Sequence, residues 1–81
     1  NIKLYPNPAQ HSFIVSGLEN AGNLSFEVYD MKGALVKSHI KSATNAQIEI
    51  SVDNLPAGEY VLKAYDSTGN IIGNARLTKV D

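Results

Sequence analysis

The sequence predicts an all-β domain built as an antiparallel sandwich. Apolar residues recur with period two along most of the chain, and a helical period is almost absent. Clusters of glycine, proline and asparagine interrupt that pattern about every eight to twelve residues, the spacing of turns in a small sandwich.

The strands follow in order. Ile2 to Tyr5 and Ser12 to Ser16 read as short strands. Leu24, Phe26 and Val28 alternate with Ser25, Glu27 and Tyr29, which sends one row inward and the other outward, because successive side chains on a strand face opposite ways. Leu35 to Lys41 is a less regular candidate. Ile48, Ile50 and Val52 alternate with Gln47, Glu49 and Ser51, and Tyr60, Leu62 and Ala64 alternate with Val61, Lys63 and Tyr65. A last run extends from Ile71 to about Val80, giving about seven strands.

Turn chemistry separates them. Tyr5-Pro6-Asn7-Pro8 loses two backbone donors to proline, so no central strand can run through it. Gly17 to Asn23 is expected to be a loop joining the second and third strands. Asn54-Leu55-Pro56-Ala57-Gly58 ends one strand and launches the next, with Leu55 tucked under the turn and Gly58 free to take a left-handed conformation. Ser42 to Asn45 is a further, less determined connection.

One internal repeat is informative. Tyr29-Asp30-Met31-Lys32-Gly33-Ala34-Leu35-Val36 and Tyr65-Asp66-Ser67-Thr68-Gly69-Asn70-Ile71-Ile72 share the pattern Tyr-Asp-x-x-Gly-x-apolar-apolar. Both read as hairpins in which the aspartate bonds back to turn amides and the glycine supplies a positive φ beside a bulge. Two hairpins of one design within about seven strands indicate an immunoglobulin-like sandwich, with a small Greek-key barrel as the alternative.

Composition narrows the function. The chain has 81 residues, enough for one small domain that buries roughly 60–65% of its unfolded surface. Seven basic and eight acidic residues give a net charge of −1, which removes the field that would gather nucleic acid or anionic lipid. There is no cysteine, so neither disulfides nor thiolate metal sites brace the fold. No apolar run approaches the roughly 20 residues of a membrane-spanning helix, and no membrane insertion is expected. The chain opens at Asn1 with no leader, so an export signal is expected upstream in a longer protein.

Side chains able to do chemistry are sparse, and neither an enzyme nor a cofactor is expected. His11 and His39 lack metal-ligand spacing, and His39 beside lysines reads as an ordinary solvated side chain. Ser12 follows His11, but neighbours on a strand face opposite ways, so they do not pair as nucleophile and base. Asp30 and Asp66 lack the alternating oxygen ligands of a calcium loop and are better read as turn formers. Glu49, Asp53 and Glu59 read as a solvated acidic face near one hairpin. Tyr5, Tyr29, Tyr60 and Tyr65 could stack on sugars, although tyrosine in alternating strands more often covers a core. Arg76 and Lys79 form at most a small basic patch.

Several segments together resemble a known family. Leu4-Tyr5-Pro6-Asn7-Pro8-Ala9, Val28-Tyr29-Asp30-Met31-Lys32-Gly33, Asn54-Leu55-Pro56-Ala57-Gly58-Glu59-Tyr60-Val61-Leu62 and Ala75-Arg76-Leu77-Thr78-Lys79-Val80 are similar, in order and spacing, to the motifs of the type IX secretion C-terminal sorting domain. The family it resembles is the type A sorting domain of the Por secretion system, and the resemblance covers essentially the whole chain, residues 1–81. It implies a domain at the C-terminus of a larger secreted protein from Bacteroidetes-type bacteria. Such a passenger transits the periplasm, crosses the outer membrane and reaches the cell surface or the medium. The implied partners are the outer-membrane translocon, shuttle and sortase components, the sortase normally cleaving the domain and attaching the passenger. The resemblance points to Pro6, Asn7, Pro8, Asp30, Gly33, Pro56, Gly58, Tyr60, Arg76 and Lys79 as recognition residues. An exposed terminal strand would offer an edge to a receptor or to a second copy as an edge-strand dimer. The rival reading is a non-catalytic immunoglobulin-like binding or spacer module of a secreted enzyme, such as a carbohydrate-binding one, which shares the fold.

Overall fold

The computed structural model describes residues 2–17, 22–43 and 47–81, with the side chains at 22, 39–43 and 47 left out. Among these are seven strands: β1 (Lys3–Tyr5), β2 (Ser12–Ser16), β3 (Gly22–Asp30), β4 (Leu35–Ala43), β5 (Gln47–Ser51), β6 (Gly58–Tyr65) and β7 (Ile71–Lys79). They form two antiparallel sheets, ordered β1-β2-β5 and β4-β3-β6-β7. Gly22 and Asn23 lie in β3 rather than in the expected loop, and Ser42 and Ala43 extend β4. The remainder of those two connections, 18–21 and 44–46, lies outside the described residues.

The alternation read in the sequence becomes the two faces of each sheet. Phe13, Val15, Ile48, Ile50 and Val52 point inward from one sheet, and Leu24, Phe26, Val28, Tyr60, Leu62, Ala64 and Leu77 from the other. These rows meet as a single core, which Ile2 and Leu4 flank. Leu55 is buried as the turn chemistry predicted.

The repeat is reproduced down to its irregularities. In the β3–β4 hairpin Val28 faces Lys37 but Tyr29 faces Leu35, which leaves Val36 as an extra residue. In the β6–β7 hairpin Ala64 faces Gly73 but Tyr65 faces Ile71, which leaves Ile72 as the extra residue. Each bulge therefore falls three residues after the turn glycine and breaks the alternation there. Consequently both apolar residues after each turn are exposed: Leu35 52% and Val36 38%, Ile71 51% and Ile72 39%. Leu35 lies opposite Tyr29 and Ile71 opposite Tyr65, cross-strand aromatic–aliphatic pairs that account for apolar residues on an outer face.

Because neighbouring strands are antiparallel, the connections divide between two poles. The segment 6–11, the turn at 31–34, the crossing at 52–57 and the end of β7 share one pole, where Tyr60 lies between Asp30 and Leu77, and Lys79 between Gly58 and Ala9. The second hairpin turn, 66–70, lies at the other.

Candidate functional site

The shared pole gathers every residue that the four sequence segments singled out. Pro6 to Ala9 leaves β1 and crosses to β7, and Ala9 forms a parallel bridge with Lys79. Asn7 makes that crossing possible. Its Nδ2 donates to the Arg76 carbonyl at 2.9 Å, and its Oδ1 accepts the Thr78 N–H at 3.0 Å. The carboxamide thus offers β7 one donor and one acceptor, as a neighbouring strand residue would. Ala9 continues the pairing: its N–H donates to the Thr78 carbonyl at 2.8 Å and its carbonyl accepts the Val80 N–H at 2.9 Å. Pro6 and Pro8 are exposed, with cis peptide bonds at Tyr5-Pro6 and Asn7-Pro8. Lacking N–H groups, they give this strap little with which to template a further strand.

The crossing between the sheets is locked by Tyr60. Its ring is buried at the start of β6, and its hydroxyl donates to the Pro56 carbonyl four residues upstream. This is the tyrosine corner of immunoglobulin-like sandwiches. Gly58 holds a positive φ of 156°, a backbone conformation that side chains rarely adopt, as the Pro-Ala-Gly turn suggested. It is also the first strand residue of β6, opposite Lys79.

Asp30 organises the turn at the same pole. Its Oδ1 accepts the N–H groups of Lys32 and Ala34, each at 2.9 Å, while Gly33 takes φ 89°. Asp66 does the same at the opposite pole, accepting from the N–H of Thr68 and of Asn70 and from the Thr68 hydroxyl, with Gly69 also at φ 89°. The Thr68 hydroxyl, followed by the Asn70 amide, holds the Asp66 carboxyl below the usual carboxylate range.

Arg76 and Lys79 do not form a patch. They are three residues apart on one strand and so face opposite ways. Arg76 is on the outer face with 68% of its side chain exposed, 4.0 Å from Glu59. Lys79 points inward and is buried, its Nζ 3.5 Å from the exposed Asp81 carboxylate. The acidic residues also separate. Glu49 accepts from Ser12 Oγ at 2.7 Å, Asp53 pairs with His11 Nδ1 at 2.9 Å, and Glu59 accepts from Thr78 Oγ1 at 2.8 Å. β5 and β6 lie in different sheets, so no hairpin brings Glu49 and Glu59 together. The Ser12 hydroxyl is thereby committed to Glu49 and not to His11.

The four tyrosines form no single platform. Tyr60 is buried and Tyr5 belongs to the other sheet from Tyr29 and Tyr65. Lys63 Nζ lies 4.8 Å above the Tyr29 ring, covering one face with a cation. The Tyr29 hydroxyl donates to Glu27, which raises its pKa well above the ordinary phenol value. The side chain of His39 is outside the described residues. Among the described residues no group of three or more His, Cys, Asp or Glu could hold a metal ion.

Sequence reasoning named Asn7 without finding its partners, and it passed over Ala9 and Thr78. The parity of β7 was the available signal, since Arg76, Thr78 and Val80 share one edge once the β6 register is known.

These features define a small immunoglobulin-like sandwich whose distinctive residues sit at one pole. A solved immunoglobulin-like β-sandwich of the DUF3244 family from Bacteroides vulgatus superposes with a TM-score of 0.74, at 22% identity over 98% of this chain and 83% of the other. No curated protein matches the chain. The model of the secretion system C-terminal sorting domain matches residues 3–78, and the chain belongs to that family. Membership makes it a sorting signal of type IX secretion, interacting with that machinery and directing export to the cell surface or the extracellular space.

Proposed function

We propose that this domain acts without catalysis as the address that carries an N-terminal passenger through the periplasm to the outer-membrane translocon, where a sortase removes it and the passenger is attached or released. The family match over residues 3–78 carries this reading. Its support from geometry is that the strap, the Asp30 turn, the Tyr60 corner and the end of β7 lie side by side, which suits them to be met together by one partner. Their hydrogen bonds are largely internal, so the motifs build a shape and leave few reactive groups.

The test is a secretion assay. A fluorescent reporter with an export signal peptide is fused before this domain and expressed in a type IX-competent bacterium and in a strain lacking the translocon. Fluorescence at the surface or in the medium of the competent strain alone is the expected result. Retention in the periplasm of both strains, with the domain intact, would favour the binding or spacer reading. Mass spectrometry of the exported reporter reads whether the domain has been removed.

A further inference from the structure

The strap changes which part of the terminal strand is open to a partner. Thr78 directs its N–H and carbonyl away from β6, toward Asn7 and Ala9. The unbroken register from Gly58–Lys79 to Ala64–Gly73 then places the backbone groups of Arg76 and Asn74 on the same outer edge. The strap takes the Arg76 carbonyl, both groups of Thr78 and the Val80 N–H. Among the described residues nothing bonds the outward N–H and carbonyl of Asn74. We propose that this stretch of β7, from the bulge at Ile72 to Arg76, is where an extended strand of the secretion partner adds to the four-stranded sheet. The inference rests on the sorting reading above.

The other edges are less suited. β1 has three residues and runs into Pro6. Lys37 Nζ reaches from β4 to the Ser51 carbonyl of β5 at 2.6 Å, tying those two edges together. At β7 the core side is closed, because the Ile2 side chain lies 3.1 Å from where a β-carbon on Gly73 would stand. The open side carries exposed Ile72 and exposed Arg76. A strand pairing there gains an apolar contact at Ile72 and is favoured by a carboxylate beside Arg76. The strap halts the pairing at Arg76 and so sets its length.

The same reporter fusion tests the proposal. Asn74→Pro removes an outward N–H that makes no internal bond, a substitution an edge strand tolerates. Asn74→Ala keeps the N–H and serves as the control. The expected result is wild-type export of Asn74→Ala and loss of export of Asn74→Pro, with unchanged circular dichroism and thermal midpoint. A folded Asn74→Pro exported like wild type would overturn the proposal while leaving the sorting reading intact. Should Asn74→Pro not fold, Ile72→Lys decides, because that exposed bulge residue leaves the core untouched: reduced export supports the edge and unchanged export overturns it. Sedimentation velocity adds the remaining outcome. A dimer abolished by Asn74→Pro while export persists would assign the edge to a second copy and overturn the proposal. Failure of the wild-type fusion to be exported would overturn both readings.

Discussion

The carboxamide of Asn7 accepts the backbone N–H of Thr78, 71 positions further along the sequence, at 3.0 Å. Asn7→Ala loses this bond and the one to the Arg76 carbonyl, and is expected to destabilise the domain by about 1 kcal/mol, since both groups regain water. Asn7→Asp can still accept from Thr78 but opposes the Arg76 carbonyl with a carboxylate, so it should cost at least as much. Urea unfolding at constant m-value measures both, and equal stability of Asn7→Asp and wild type would contradict the bidentate role.

The Tyr60 hydroxyl closes the crossing between sheets on the Pro56 carbonyl. Tyr60→Phe keeps the buried ring and should lose about 1 kcal/mol. Export should fall only as far as that lost stability dictates. A severe export defect in a well-folded Tyr60→Phe would mean that the hydroxyl is also read directly.

Gly33 and Gly69 form a matched pair. Both take φ 89° with open space around them, so alanine at either should cost about 1 kcal/mol through backbone strain alone. Their positions differ: Gly33 lies at the pole of the sorting motifs and Gly69 at the other. Export should be impaired more by Gly33→Ala than by Gly69→Ala at equal thermal stability, and equal impairment would argue against a polar recognition surface.

Asp66 makes stability depend on pH. Its carboxyl is held below its unfolded pKa by the Thr68 hydroxyl and then the Asn70 amide. Its contribution is therefore fully present above the unfolded value of about 3.9 and is lost as pH falls through the folded one. Thermal melts from neutral pH down through that range should show a component that disappears in Asp66→Asn.

Lys79 is buried while its partner Asp81 is exposed, so the chain bears desolvation for little pairing. Lys79→Met fills similar space without the charge and is expected to stay within about 1 kcal/mol of wild type in the same unfolding assay. Deletion from Leu77 onward is a poor probe of recognition by comparison. It removes a fully buried core residue and the anchor of the strap along with the chain end.

The elements most legible in the sequence were those determined by neighbours. Period-two alternation in β3, β5 and β6 announced both the strands and their inward rows, and Asp-x-x-Gly announced two turns whose bonds are local. Less legible was anything after a bulge. Leu35-Val36 and Ile71-Ile72 look like strand interiors, but one inserted residue in each hairpin leaves both members exposed.

Alone, then, the sequence determined the class of fold, the alternating rows of β3, β5 and β6 and the two twin hairpins, because each depends on residues a few positions apart. It also carried the four motifs of the sorting family. Only the tertiary structure decided that those motifs meet at one pole, that Lys79 is buried while Arg76 is not, and that Asn7 closes half of the terminal edge. These outcomes depend on which strands pair and in what register, and a one-residue slip would turn every side chain of β7 to the opposite face.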